Sequence, residues 1–133
     1  MIFFDTNVLI YYTINQDEEK QKNSQKHIEE AIKNGLFFIS PLVMTEYIFI
    51  LSKLKIEKEN QNKIEFFSQY IQSVISEKEI MEDYSICQKI DFCRNINDAI
   101  HLVVAQKHCH TLLTFDSDFK KVKALSSIDI IVL

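Results

Sequence analysis

Four carboxylates occupy positions in the sequence from which one shared site can form. Asp5 follows a short apolar run at the start of the chain, and Asp116 follows a second short run with one residue between. Glu46 lies in the middle of large apolar residues, and Asp98 belongs to a polar run that precedes another apolar segment. Ligands of open α/β sheets collect beyond the carboxyl ends of the strands. If both short runs are parallel strands, Asp5 and Asp116 reach the same edge of the sheet.

A pocket that holds four carboxylates needs protons or cations. Two unit charges about 4 Å apart repel each other by roughly 4 kcal/mol at an effective dielectric constant near 20. Oxygen ligands favour a hard cation, and we therefore predict Mg²⁺ or Mn²⁺, as one or two ions. Such ions lower the pKa of a bound water and orient it toward phosphorus. The cluster predicts hydrolysis of phosphodiester bonds.

Each acid also has an ordinary structural explanation. Asp5 can be a turn residue after a strand, Asp98 can cap a helix, and Asp116 and Asp118 can form Asx turns. Glu46 is the discriminating residue, because an ionisable group inside an apolar helix seldom lacks a partner. The joint placement of the acids therefore supports the site more than any single residue does.

Hydrophobic periodicity and helix start and stop signals divide the chain into alternating elements. Strands are predicted at Ile2–Phe4, Leu36–Ile39, Thr111–Thr114 and Ile128–Leu133. Helices are predicted at Thr6–Thr13, from the Asn15–Glu19 run to Gly35, and at Pro41–Lys55, Asn60–Ser73, Ile80–Ile90 and Ala99–Lys107, the last opened by Asn95–Asp98. Strands separated by helices predict an α/β fold, in which helices flank a mostly parallel central sheet through right-handed crossovers.

Length and composition limit the domain organisation and the function classes. A chain of 133 residues with 47% hydrophobic residues predicts a single domain over residues 1–133. The net charge of −4 argues against wholesale electrostatic binding to nucleic acid, although small lysine clusters leave room for a local basic strip. The three cysteines lack paired spacing, and no apolar run approaches the roughly 18 residues of a membrane span. We therefore expect a reduced, cytoplasmic protein that does not enter a membrane.

Four short runs carry a family resemblance. The runs Phe4–Leu9, Ser40–Glu46, Asn97–Ile100 and Leu113–Phe119 resemble, in order and separation, the motifs of PIN-domain proteins. The resemblance implies a three-layer PIN-like fold, a divalent-metal site and cleavage of RNA. It places the family's acidic ligands on Asp5, Glu46, Asp98 and Asp116, with Asp118 as a further candidate, and supporting hydrogen-bonding residues on Thr6, Asn7 and Thr114.

A compact single-domain protein of this length also resembles the VapC-type toxins of bacterial toxin–antitoxin systems. This similarity implies a ribonuclease that a small antitoxin holds inactive and that assembles as a homodimer. Phe115 stands where the family frequently carries a basic residue, and Arg94 is the only arginine of the chain.

Two other classes of function remain open. Phosphohydrolases of the haloacid dehalogenase type also place an aspartate after the first strand, but Asn7 stands where they carry a second aspartate. A catalytically silent module that binds RNA or protein is the other alternative. His101 follows Asp98 by three residues on the same predicted helix. We interpret it as a partly buried histidine whose hydrogen bonds are satisfied, rather than as a general base.

Overall fold

The computed structural model describes residues 1–90 and 96–133, and the side chains within those ranges except that of residue 90. Four strands form one sheet in the order β2-β1-β3-β4, and every neighbouring pair is parallel. The strands are β1 Ile2–Phe4, β2 Phe37–Phe38, β3 Thr111–Thr114 and β4 Asp129–Val132. The helices that flank the sheet are α1 Thr6–Thr13, α2 Glu18–Lys33, α3 Pro41–Lys53, α4 Gln61–Ser68, α5 Glu77–Ile90 and α6 Ile96–His108. The predicted α/β fold is confirmed.

Local capping interactions explain where several elements begin and end. The Asp5 side chain accepts a hydrogen bond from the Thr6 N–H at the start of α1, and Ser40 accepts one from Val43 N–H at the start of α3. Gly35 has φ +66 just after α2, a conformation that glycine adopts without steric cost. The stop signal predicted at this glycine is therefore confirmed.

Three helices differ from their predicted bounds by three residues or more. The sixth helix begins at Ile96 rather than at Ala99, so Asp98 lies in its first turn rather than before it. The fourth helix ends at Ser68 rather than at Ser73, because the chain turns there and forms a parallel bridge between Ile39 and Ile71 beside β2. The fifth helix begins before Ile80, at Glu77. The Glu79 carboxylate accepts a hydrogen bond from the Ser76 N–H at 2.5 Å, an interaction typical of a capping box that starts a helix early.

The core lies between the sheet and the helices that cover it. Phe3, Phe4 and Leu112 are buried in the sheet, and every residue of α6 from Ala99 to Ala105 is buried. A helix whose central residues are all buried is fixed by packing on several sides. Helix α6 therefore holds its first turn firmly beside the ends of β1 and β3.

The residues just beyond β1 and β3 meet at one edge of the sheet. Asp5 N–H donates to the Leu113 carbonyl at 3.1 Å, which continues the ladder one residue past β1. The predictions that concern Cys93, Arg94 and Asn95 lie outside the described residues. In the described ranges, no helix combines the length and the apolar character needed to cross a membrane.

Candidate metal centre

Asp5 is a buried carboxylate whose two oxygens are both held by hydrogen bonds. Thr6 N–H donates to Oδ1 at 2.6 Å, while Asn7 Nδ2 and Thr114 Oγ1 donate to Oδ2 at 2.7 and 2.6 Å. Burial raises the pKa of Asp5, and the nearby His101 together with these donors opposes the rise. The carboxylate is thus fixed in orientation, and a cation would favour its charged form.

Glu46 enters the same region from α3. Its Oε2 accepts a hydrogen bond from Thr6 Oγ1 at 2.5 Å and lies 2.9 Å from His101 Nε2, while its Oε1 accepts from Asn97 Nδ2 at 2.6 Å. Burial alone would raise the pKa of Glu46, but the contacts with His101, Thr6 and Asn97 outweigh it and lower the pKa. Glu46 is therefore an ionised carboxylate held by residues of α1 and α6. These contacts explain how an acid in an apolar helix is tolerated.

His101 lies between the two acids. The side chain is fully buried, and Nε2 is 3.8 Å from Asp5 Oδ1 in addition to its contact with Glu46. Burial lowers the pKa of His101, but Glu46, Asp5 and Asp98 together raise it above its usual value. Among the described residues, none gives Nδ1 a hydrogen-bond partner. The sequence signal for this role was the spacing from Asp98, because residues three apart on a helix are neighbours.

Asp98 is an acid whose charged form is opposed by its surroundings. It lies in the first turn of α6, half-buried, and no hydrogen bond from the described residues reaches its carboxylate. Burial first, and then the negative charges of Asp5, Asp116 and Glu46, raise the pKa of Asp98 to about 7, with His101 opposing. Without a metal, this group is partly protonated near neutral pH.

One ion can be held where these groups meet. One ligand atom each of Asp5, Asp98 and His101 lies within 4.8 Å of the other two. Carboxylate oxygens suit Mg²⁺ and Mn²⁺, and an imidazole nitrogen is a better ligand for Mn²⁺ than for Mg²⁺. The residues present therefore fit a divalent cation.

The loop after β3 holds the remaining predicted acids. Asp116 N–H donates to Thr114 Oγ1 at 2.9 Å, and Asp116 Oδ1 accepts from the Asp118 N–H at 2.8 Å at the start of a short 3-10 helix, Ser117–Lys121. Asp118 is more exposed and pairs with Lys121 Nζ at 2.9 Å. Asp116 lies near enough to influence Asp98, but neither Asp116 nor Asp118 belongs to the group formed by Asp5, Asp98 and His101.

The carboxylates open into a cavity of about 500 Å³ between α1 and α3. Its polar side carries Asp5, Glu46 and Asp98, and its apolar side carries Tyr11 and Phe49. A separate cavity of about 260 Å³ is lined mainly by apolar residues of the sheet and α2. Only the first of these two cavities combines space with clustered acids, so we assign the candidate site to it.

Thr114 connects the acids of the two strand ends. Its hydroxyl donates to Asp5 and accepts from Asn7 Nδ2 at 3.0 Å and from the Asp116 N–H.

We expect Thr114→Val, which keeps the side-chain shape, to destabilise the fold by about 1–3 kcal/mol because buried partners lose a hydrogen bond. Urea unfolding measures this loss. The matched variant is Thr45→Val, since Thr45 is exposed and bonds only within its own helix. Equal midpoints for the two variants would contradict the linking role of Thr114.

Comparisons with known proteins identify the family. The family model described as PIN domain matches residues 2–125. A solved structure, VapBC2 from Rickettsia felis bound to a DNA fragment from its promoter, contains a chain similar to this one at 21% sequence identity, with a TM-score of 0.71. The similarity covers 100% of this chain and 99% of that chain. No curated protein gives a match. Because the family match covers nearly the whole chain, the protein belongs to the PIN domain family.

Proposed function

We propose that this protein is a divalent-metal-dependent endoribonuclease and the toxin of a toxin–antitoxin pair. The observation that carries the proposal is the convergence of Asp5, Glu46 and Asp98 on one open cavity, with His101 buried between them. Membership of the PIN domain family supports nuclease chemistry, and the likeness to a VapBC2 chain supports an antitoxin partner. The homodimer stays a prediction that rests on the resemblance of the sequence to VapC-type toxins.

The proposed roles follow from the contacts of each residue. Asp5 and Asp98 hold one or two Mg²⁺ or Mn²⁺ ions, and Asp116 adds negative charge beside Asp98. When bound, a divalent ion lowers the pKa of a water and neutralises charge on the phosphate. Thr6, Asn7 and Thr114 keep Asp5 in one orientation. Preorganised groups of this kind avoid reorganisation during the reaction.

Glu46 is proposed to face the attacking water. Its carboxylate is ionised and oriented by Thr6, Asn97 and His101, so it can accept a proton without first losing one. Asp98 differs, because its raised pKa means that it must release a proton before it holds a cation. The two acids therefore have distinct duties, one as proton acceptor and one as metal ligand.

The test is cleavage of RNA by the purified chain. A labelled single-stranded RNA is incubated with the protein in Mn²⁺, in Mg²⁺ and in EDTA, and single-stranded DNA of the same sequence serves as the comparison. We expect new RNA ends with either metal and intact RNA in EDTA. Intact RNA in both metals would overturn the proposed function and favour a catalytically silent module.

The phosphohydrolase alternative makes a different prediction about Asp5. Such an enzyme needs an acid or base at position 7, but the Asn7 amide here donates to Asp5 and accepts from the Phe115 N–H at 3.0 Å. An amide held in this way supplies no proton to a leaving group. A phospho-aspartate trapped at Asp5 and found by mass spectrometry would favour that alternative.

A further inference from the structure

Two aromatic rings and a lysine form a cluster at the side of the acidic cavity. Tyr11 of α1 and Phe115 of the loop after β3 meet edge to face, with ring centroids 4.9 Å apart. Lys20 Nζ lies 4.8 Å from the Tyr11 centroid and 5.5 Å from the Phe115 centroid. The ammonium also donates to Tyr11 Oη at 3.3 Å. We call Tyr11, Lys20 and Phe115 the rim cluster.

The rim cluster is joined to the metal site by Asn7. Phe115 N–H donates to Asn7 Oδ1 at 3.0 Å, and Asn7 Nδ2 donates to Asp5 Oδ2 at 2.7 Å. Tyr11 lines the same cavity as Asp5 and Asp98. A ligand whose phosphate approaches the acids therefore has Tyr11 as a neighbour, and the other two members of the rim cluster contact Tyr11.

This cluster differs from the aromatic packing of the core. Core rings such as Phe3, Phe37 and Phe67 are buried at 0–2% exposure. Tyr11, Phe115 and Lys20 are only half-buried, and they place an ammonium against rings beside an open cavity. Aromatic rings with a neighbouring cation are how single-stranded nucleic acids are held, the rings by stacking on bases and the cation by contact with phosphate.

We propose that the rim cluster is a nucleotide-binding subsite. Tyr11 and Phe115 stack an unpaired base next to the cleaved phosphodiester, and Lys20 contacts the adjoining phosphate. The proposal rests on the proposed ribonuclease function and adds the residues that hold an unpaired base beside the cleaved bond. A base inside a duplex is already stacked on its neighbours and must be unstacked before it reaches such a ring.

Binding is tested in the Asp98→Asn chain, so that RNA remains intact during the measurement. The probe is a short, fluorescently labelled single-stranded RNA, compared with a hairpin of matched composition. Stacking contributes about 1–3 kcal/mol per base, so we expect Tyr11→Leu and Phe115→Leu each to raise the Kd for single-stranded RNA about tenfold. The matched aromatic control is Tyr84→Leu, since Tyr84 is 51% exposed on α5. It should leave the Kd unchanged.

Lys20 has its own matched control on the same helix. Lys22 is exposed and pairs with Glu18 at 2.7 Å, whereas Lys20 contacts the rings. Lys20→Gln should reduce the slope of log Kd against log salt by about one unit, and Lys22→Gln should not. Equal slopes for the two variants would remove Lys20 from the subsite.

Fluorescence from the RNA itself tests the subsite without relying on variants that could fold poorly. An RNA that carries a fluorescent base analogue should lose emission when it binds the chain with an intact rim cluster, because stacking quenches it. Absence of quenching, or unchanged Kd values in both leucine variants, would overturn the subsite. Cleavage by the wild-type chain is scored separately. If the wild-type chain cleaves RNA but the rim-cluster variants bind RNA as the parent chain does, the subsite alone is refuted. If RNA binds through the rim cluster but the wild-type chain does not cleave it, the proposed activity alone is refuted.

Discussion

Asp98→Asn is expected to lower metal-dependent RNA cleavage by roughly a hundred- to a thousandfold, a loss typical of a removed electrostatic group. The same substitution should stabilise the metal-free protein. The pKa of Asp98 is raised from 3.8 to about 7, so the free-energy cost of its charge in the folded state grows between these two pH values and is complete above about 7. An amide removes the charge and keeps the shape. When a substitution lowers activity but stabilises the fold, the original residue is kept for function rather than for stability.

The size of the stability gain depends on pH. We expect on the order of 1 kcal/mol above pH 7, because solvent screens a half-buried charge, and little difference below about pH 3, where Asp98 is protonated in both states. Urea unfolding in EDTA measures the gain, and gel electrophoresis of labelled RNA measures the activity. Asp129→Asn is the matched control, since Asp129 is exposed on β4. A metal-free Asp98→Asn protein less stable than the wild type at high pH would contradict the assignment of Asp98.

Mn²⁺ is expected to raise the melting temperature, and to raise it more at about pH 8 than at about pH 6. An ion present at about a hundred times its Kd adds roughly 2.7 kcal/mol, which is on the order of 8 °C for a chain of this size. At the lower pH, a proton on Asp98 competes with the ion. Differential scanning fluorimetry with and without EDTA provides the measurement. A melting temperature that Mn²⁺ does not move at either pH would count against the metal site.

The melting measurements in EDTA also test how His101 contributes to the stability of the metal-free fold. The pKa of His101 is raised above 6.5, so its contribution to the stability of the metal-free fold is present below 6.5 and is lost as the pH rises through the folded-state value. The raised pKa of Asp98 also makes the metal-free fold less stable as the pH rises, whereas the lowered pKa of Glu46 affects stability only below about pH 4.5. His101→Gln should therefore flatten the fall in metal-free stability between about pH 6 and about pH 8. His27→Gln is the control and should leave the slope as it is.

Much of the fold was predictable because its signals are local. The bounds of β1, α1 and β3 match the predicted ones, since each apolar run ends at a polar residue that caps or turns the chain. The start of α3 followed from Ser40 and Pro41. The end of α4 was not predictable, because the bridge between Ile39 and Ile71 depends on two segments distant in sequence.

The candidate site could also be predicted only in part from the sequence. Sequence position suggested that Asp5 and Asp116 share an edge, and the apolar surroundings of Glu46 suggested that it has partners. The partners themselves could not be predicted. That Glu46 meets His101 and Asn97 depends on the approach of α3 to α6. Similarly, α1 is apolar on most sides, so periodicity did not indicate that Tyr11 would lie beside Phe115.

The hydrogen bond between Thr114 and Asp5 has a consequence for the synthesis of the protein. It joins residues 109 positions apart in the sequence. A growing chain on the ribosome has Asp5 and Glu46 long before it has β3, and contacts of such high sequence separation form late. Asp5 therefore lacks the Thr114 donor until most of the chain has emerged. If the proposed function holds, prematurely terminated chains that lack β3 would not cleave the RNA that encodes them.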